Sequence, residues 1–228
     1  MSQPLLHRVR EGVRPLVPRR LRVAVNRLVF GLIGLALTGS AVRCTCCGRS
    51  YRRFVDYPSA YCPGCGAYER QRLLCLYLDR HPELVRGDVL HVGPEACVMA
   101  RYRAGSRSWL AADVDPGHPL VERVTDVTKL ALPDAAFDLV LCSHVLDVVG
   151  DHDQAVRELA RVTRLGGTVL IQAPRRAVRG SPDSYAARLG ASGLDVSVVT
   201  LPEQEDEPTR RRLGLDDDEP IFVGRRSH

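Results

Sequence analysis

"VLHVGPE", residues 89–95, decides how this chain is read. Val89, Leu90 and Val92 flank His91 as in a buried strand, and Gly93-Pro94 stops the run. A glycine directly after such a strand lets the backbone turn sharply or approach a ligand closely. A nucleotide-binding turn would continue with further glycines, but Pro94, Glu95, Ala96 and Cys97 follow. The stretch alone leaves two readings, a cofactor loop or a plain strand end. The flanking sequence has to decide between them.

Downstream, apolar runs of strand length alternate with helical patterns. "SWLAADV" (108–114), "FDLVLCSHVL" (137–146), "GGTVLIQA" (166–173), "DVSVVTL" (195–201) and "PIFVGRR" (220–226) predict strands. "EACVMARYRA" (95–104), "DHDQAVRELARVT" (151–163) and "SYAARLGASG" (184–193) predict helices, the second with Asp151 or Asp153 at its start and Gly166-Gly167 after its end. This order predicts a parallel sheet with helices on both faces and a ligand site at the carboxyl ends of the strands. Upstream, "AYERQRLLCLYLDRHPEL" (67–84) has helical spacing, with Leu73, Leu74, Tyr77 and Leu78 on one face.

Five of the eight cysteines fall within residues 44–65. Cys44 and Cys47 form one C-x-x-C pair and Cys62 and Cys65 another, each followed by glycine (Gly48, Gly66). A tight turn then brings two thiolates to one side of a metal, and two such knuckles close a tetrahedral four-thiolate zinc site. No coordination position remains open, so the zinc is expected to be structural. The odd number of cysteines in the cluster and an expected cytoplasmic setting argue against disulfides. Cys75, Cys97 and Cys142 read as buried core thiols.

Composition adds a basic N-terminal arm, from Arg8 to Arg53, and an acid-rich stretch over 203–219 interrupted by Arg210, Arg211 and Arg212. Lys129 is the only lysine, so arginine is favoured throughout. The arm is either a solvated face or a surface that meets phosphates or anionic lipid. The apolar run at 28–42 falls short of the ~20 residues that span a bilayer. It is expected to be a helix packed on the domain or lying on a partner surface, with peripheral membrane contact as one use, rather than an export signal.

Taken together, "VLHVGPE", "AADVD", "TDVTKLALPDAAFDLVLCSHVLDVV" and "AVRELARVTRLGGTVLIQAP" resemble the class I S-adenosylmethionine (SAM)-dependent methyltransferases of the methyltransferase type 11 kind. The two knuckles and "ERQRLL" ahead of them are similar to the bacterial zinc-ribbon members of that group, which share an H-V-x-P-E loop. The resemblance implies a Rossmann-like α/β sheet behind a small four-cysteine zinc ribbon and a leading helix. It implies an arm over 1–43, a ribbon over 44–68 and a methyltransferase domain over 69–228. It also assigns roles. Gly93 approaches the amino-acid tail of SAM, and His91 stands where the loop customarily has an acid. Glu95 replaces that acid at the SAM amino group. Asp113 accepts the ribose hydroxyls. Asp126 and Val127 border the adenine. Ser143 and His144 stand beside the methyl-transfer point, with His144 the one candidate for a general base. Arg175 and Arg176 are candidates to meet an anionic acceptor, and Asp147 is either a substrate contact or a cap. A small-molecule or protein acceptor is favoured. An RNA methyltransferase, or a non-catalytic zinc-containing binding protein on the same fold, remain as alternatives.

Overall fold

A computed structural model describes residues 22–56, 60–173, 181–215 and 219–227. Helix α1 (Arg22–Ala36) leads into two short antiparallel ladders, β1 (Thr38–Arg43) with β2 (Ser50–Tyr51) and β3 (Val55–Asp56) with β4 (Ala60–Tyr61). Helix α2 (Glu69–Arg80) follows. Then come β5 (Asp88–Val92), α3 (Ala96–Tyr102), β6 (Ser108–Asp113), β7 (Arg123–Val124), β8 (Phe137–Ser143), α4 (His152–Val162), β9 (Thr163–Gln172), α5 (Pro182–Gly190), β10 (Leu194–Val199), α6 (Glu207–Leu213) and β11 (Ile221–Arg226).

The seven-stranded sheet has the order β10-β11-β9-β8-β5-β6-β7. Strands β5 to β9 pair in parallel, whereas β11 is antiparallel to both β9 and β10. The expected parallel sheet is present in β5 to β9 and is closed by a reversed strand on one side. The chain leaves β5 for β6 on one flank and later returns to β8 on the other. The carboxyl ends of β5 and β8 therefore form the switch point, where an open α/β sheet has a natural crevice.

The central strands are buried on both faces because side chains alternate between two cores. Leu139, Leu141 and Leu170 join Leu73, Leu74 and Leu78 of α2 and Val98 of α3 on one face. Val140, Cys142, Val169 and Ile171 join Val156 and Leu159 of α4 and Leu189 of α5 on the other. Asp151 caps α4 by accepting from the Gln154 amide at 3.0 Å, as the sequence predicts for one of two aspartates.

Three local differences from the sequence reading have physical causes. The apolar run at 28–42 is split: α1 ends at Ala36, where the Thr38 hydroxyl bonds the carbonyls of Gly34 and Leu35, and residues 38–43 are strand. The ribbon's strand pairing thus reaches back to Thr38. Strand β8 stops at Ser143 because His144 turns into the left-handed region, with φ 55°. Strand β9 starts earlier than predicted, at Thr163, because its pairing with β8 shifts register ahead of Thr168, with Phe137 opposite Thr163 and Leu139 opposite Thr168.

The four-cysteine region shares the first core, to which Cys44, Cys62, Tyr51 and Phe54 belong. Arg72 joins them. It has no exposed surface, and its guanidinium donates to the carbonyls of Ala60, Ala67, Leu213 and Gly214 at 2.7–3.2 Å, with the Phe54 ring 4.1 Å away. Leu213 and Gly214 close α6, so the cation faces the negative end of that helix.

Candidate active site and metal centre

The four cysteines expected to bind zinc converge. The sulfurs of Cys44, Cys47, Cys62 and Cys65 lie within 4.8 Å of one another, with Cys44–Cys65 at 3.7 Å and Cys47–Cys62 at 3.8 Å. Four sulfurs at about 2.3 Å from one ion would be roughly 3.8 Å apart, far beyond a disulfide bond. Gly48 and Gly66 have φ of 71° and 74° and donate to the carbonyls of Cys44 and Cys62, which closes each knuckle. The donor set and its spacing fit a structural zinc ion. Cys46 lies outside this set; Cys75 and Cys142 are buried, as expected, and Cys97 is half-buried.

At the sheet's switch point, Gly93 has φ 68°, and a Cβ there would stand 2.6 Å from Cγ2 of Val145. Only glycine suits this turn, so the loop offers bare backbone to the crevice. Glu95 follows as the residue before α3, and it is nearly buried. Its Oε1 accepts from Nε2 of Gln71 at 2.5 Å and lies 3.5 Å from Nε of Arg70. Its Oε2 is buried with no hydrogen-bond partner. Burial pushes the Glu95 carboxyl up, against the pull of Arg70, Gln71 and His144. An orphaned carboxylate oxygen costs about 1–3 kcal/mol unless a donor arrives.

His144, just beyond β8, is held by its amide to the carbonyl of Gln172 and by Nε2 to Oε1 of Glu219 at 2.8 Å. Glu219 is 5% exposed, so the pair is largely out of water. In the tautomer that donates from Nε2 to Glu219, Nδ1 is the ring's acceptor. Ser143 is buried and donates to Gln172, which in turn donates to the carbonyl of Arg70 at 3.1 Å. A polar chain thus runs from β8 through β9 to α2 and Glu95.

On the β6 side, Asp113 is half-buried at the strand end, and its Oδ1 accepts from the Asp115 amide at 2.9 Å. Asp126 is exposed. The amide and hydroxyl of Thr128, both at 2.8 Å, hold its carboxyl below the usual carboxylate range. Val127 beside it is buried. Gly93, Glu95, Ser143 and His144 therefore stand together at the carboxyl ends of β5 and β8, with Asp113 at the end of the neighbouring strand. His91 is placed differently. It has no exposed surface, and its ring packs edge-on against Trp109 at 5.6 Å. Burial lowers its pKa to about 3, so the ring is neutral, with neither nitrogen partnered. Asp147 is exposed in the turn after His144. Arg175 and Arg176 lie outside the described residues.

Sequence reading missed Arg70, Gln71, Gln172 and Glu219. The first two stand in "ERQRLL", whose helical pattern drew attention only to its leucines. Glu219 is separated from His144 by 75 positions and ends an acidic stretch that reads as solvated.

Comparison with known proteins bears on this geometry. Residues 71–171 match the family model described as "Methyltransferase domain". A demethylmenaquinone methyltransferase of Mycolicibacterium vanbaalenii is 38% identical over 91 residues, which are 36% of this chain and 40% of that protein. The match thus spans less than half of that relative. A chain of the complex between the Haloferax volcanii Trm112 methyltransferase activator and its methyltransferase superposes with a TM-score of 0.51 at 15% identity, covering 70% of this chain and 96% of that one. Phosphoethanolamine N-methyltransferase 2 of Haemonchus contortus, in complex with phosphomonomethylethanolamine and S-adenosylhomocysteine, gives 0.51 at 14% identity, over 69% of this chain and 53% of that one. At these identities the likeness is one of fold. The four cysteines lie ahead of the matched segment. From Gln71 to Ile171 the chain is similar to methyltransferase domains, and its sheet has the Rossmann-like fold of the structures it superposes on.

Proposed function

We propose that this protein transfers a methyl group from SAM to an acceptor held over the carboxyl ends of β5 and β8. The observation that carries the reading is the left-handed Gly93 turn at the switch point followed by Glu95, whose buried Oε2 has no partner. An ammonium group such as that of an amino-acid tail supplies the missing donor and favours the ionised carboxylate. Asp113 would accept from the ribose hydroxyls, Asp126 and Val127 would border the adenine, and Ser143 would line the floor. SAM supplies a methyl group on a sulfonium, displaced in line as the electrons of the C–S bond return to sulfur.

The chain's part is largely positioning. Where the acceptor is an O–H or N–H group, Nδ1 of His144 takes its proton, and Glu219 steadies the resulting imidazolium. The freed lone pair forms the new bond to carbon. The zinc holds the ribbon and stays out of the chemistry. A small molecule or a protein is the favoured acceptor, because the basic arm offers few aromatic rings for base stacking before Tyr51, Phe54 and Tyr57.

Calorimetry of the zinc-loaded protein with SAM and with S-adenosylhomocysteine tests the reading, using the parent and Glu95→Gln. The parent is expected to bind both, and the variant to bind both at least about tenfold more weakly, the loss of one charge-assisted hydrogen bond. A screen with labelled SAM over small molecules, proteins and RNA then identifies the acceptor. A parent protein that binds neither ligand would move the assignment to a non-catalytic binding protein.

A further inference from the structure

We propose that α1 and the zinc ribbon form a seat for an anionic lipid bilayer, with α1 lying in the interface. The inference does not depend on the methyl-transfer reading. One face of α1 is used within the protein: the Phe30 ring meets Tyr61 at 5.9 Å and covers Gly66, and Gly34 is buried against Gly64. The other face is bare. Leu28, Leu32 and Leu35 are 65%, 59% and 73% exposed, and Val29 beside them is 39% exposed. Positions 28, 32 and 35 form one stripe along a helix, and no charged residue occurs from 28 to 42. Single exposed leucines are ordinary, but a continuous aliphatic stripe marks a contact surface.

Charge names the partner. Residues 1–55 hold eleven arginines and one acid, Glu11, for a net charge of +10, while the whole chain carries +5, so the remaining residues are net −5. Arg43, Arg49, Arg52 and Arg53 are exposed on the ladders that follow α1 directly. Apolar stripe and concentrated arginine belong together on a surface that offers both hydrocarbon and anionic headgroups. A second copy would set two such positive modules against each other. RNA would leave the leucines without a use, since single strands are gripped by stacking on aromatic rings. The 15 residues of α1 rise about 22 Å, short of the ~30 Å hydrocarbon core, and no described helix is long and apolar enough to cross a membrane. The helix therefore lies on the bilayer.

The test is sedimentation of the full, zinc-loaded chain with vesicles of phosphatidylcholine alone and of phosphatidylcholine with an equal share of phosphatidylglycerol. The expected result is binding to the anionic vesicles at least about tenfold tighter than to the neutral ones, weakening as salt is raised. Replacing Leu28, Leu32 and Leu35 together by serine is expected to lower that binding by at least about tenfold while zinc content and Trp109 fluorescence stay unchanged. Equal binding by parent and triple variant overturns the proposal, as does absence of parent binding to anionic vesicles. Concentration-dependent dimerisation of the parent that the triple variant abolishes would assign the stripe to a second copy instead.

Discussion

His91 gives the sharpest thermodynamic test of the fold. Its ring has no exposed surface, lies against Trp109, and has a pKa of about 3 caused by burial alone. In the unfolded chain an imidazole titrates near 6.5. Below that value the unfolded state takes up a proton that the folded state refuses. Stability from this residue is therefore present above pH 6.5 and lost as pH falls toward 3. The difference of the two binding terms gives a loss of about 2 kcal/mol between pH 7 and pH 5. Acid would also protonate thiolates that hold a metal, so the parent alone cannot isolate the effect. His91→Phe keeps an aromatic ring on Trp109, removes the titration and leaves every other group in place. Urea unfolding of zinc-saturated parent and variant at pH 7, 6 and 5 can be followed by Trp109, the protein's one tryptophan. The parent is expected to lose about 2 kcal/mol more than the variant over this range. Equal losses would refute the account of a neutral, enclosed imidazole. They would also reopen a role for His91 at the cofactor loop, since only a ring that reaches water or a counter-charge keeps an ordinary pKa.

Other outcomes follow from the same geometry. The parent is expected to carry one zinc per chain, and Cys62→Ser to lose both the metal and the protease resistance of the ribbon, by metal analysis and limited proteolysis; a variant with full zinc content would break the four-thiolate assignment. Asp113→Ala, deprived of two charge-assisted hydrogen bonds to a ribose, should bind SAM at least about tenfold more weakly by calorimetry, and unchanged affinity would free Asp113 of that role. Gly93→Ala places a Cβ 2.6 Å from Val145 on a left-handed backbone, so SAM affinity should fall and Val145→Ala should restore part of it; normal binding by the single variant would take the loop out of the site.

The parts of the fold that were legible in the sequence are those that repeat a local rule. Alternating apolar runs became strands, C-x-x-C-G became knuckles, and an aspartate ahead of an amphipathic run became the cap of α4. What escaped depends on distant partners or on one residue's backbone. The reversal of β11 follows from a long connection through α6, which no local period encodes. The end of β8 follows from the left-handed turn at His144, a conformation that an imidazole adopts only because the Gln172 carbonyl and Glu219 hold it there. The glycine loop was ambiguous for the same reason. Its one glycine acquires meaning only when Val145, fifty-two positions later, is seen to close against it.

Helix α2 links the four-cysteine cluster to the candidate site around Glu95. Its start follows the second knuckle directly, and the backbone amide of Tyr68 donates to the side chain of Gln71. Gln71 then reaches Glu95, Arg70 flanks the same carboxylate, and Arg72 points the other way into carbonyls of the ribbon and of α6. Three successive residues thus tie the ribbon, the crevice and the C-terminal helix to one turn of helix. A buried guanidinium satisfied only by carbonyls tolerates little displacement, because each lost bond leaves a charged donor out of water. The position of the first turn of α2 is therefore fixed from the ribbon side. A zinc ion on the four cysteines would brace that same turn from outside, without touching Gln71 or Glu95. The four-cysteine region and the candidate site are thus joined through the backbone of one helical turn.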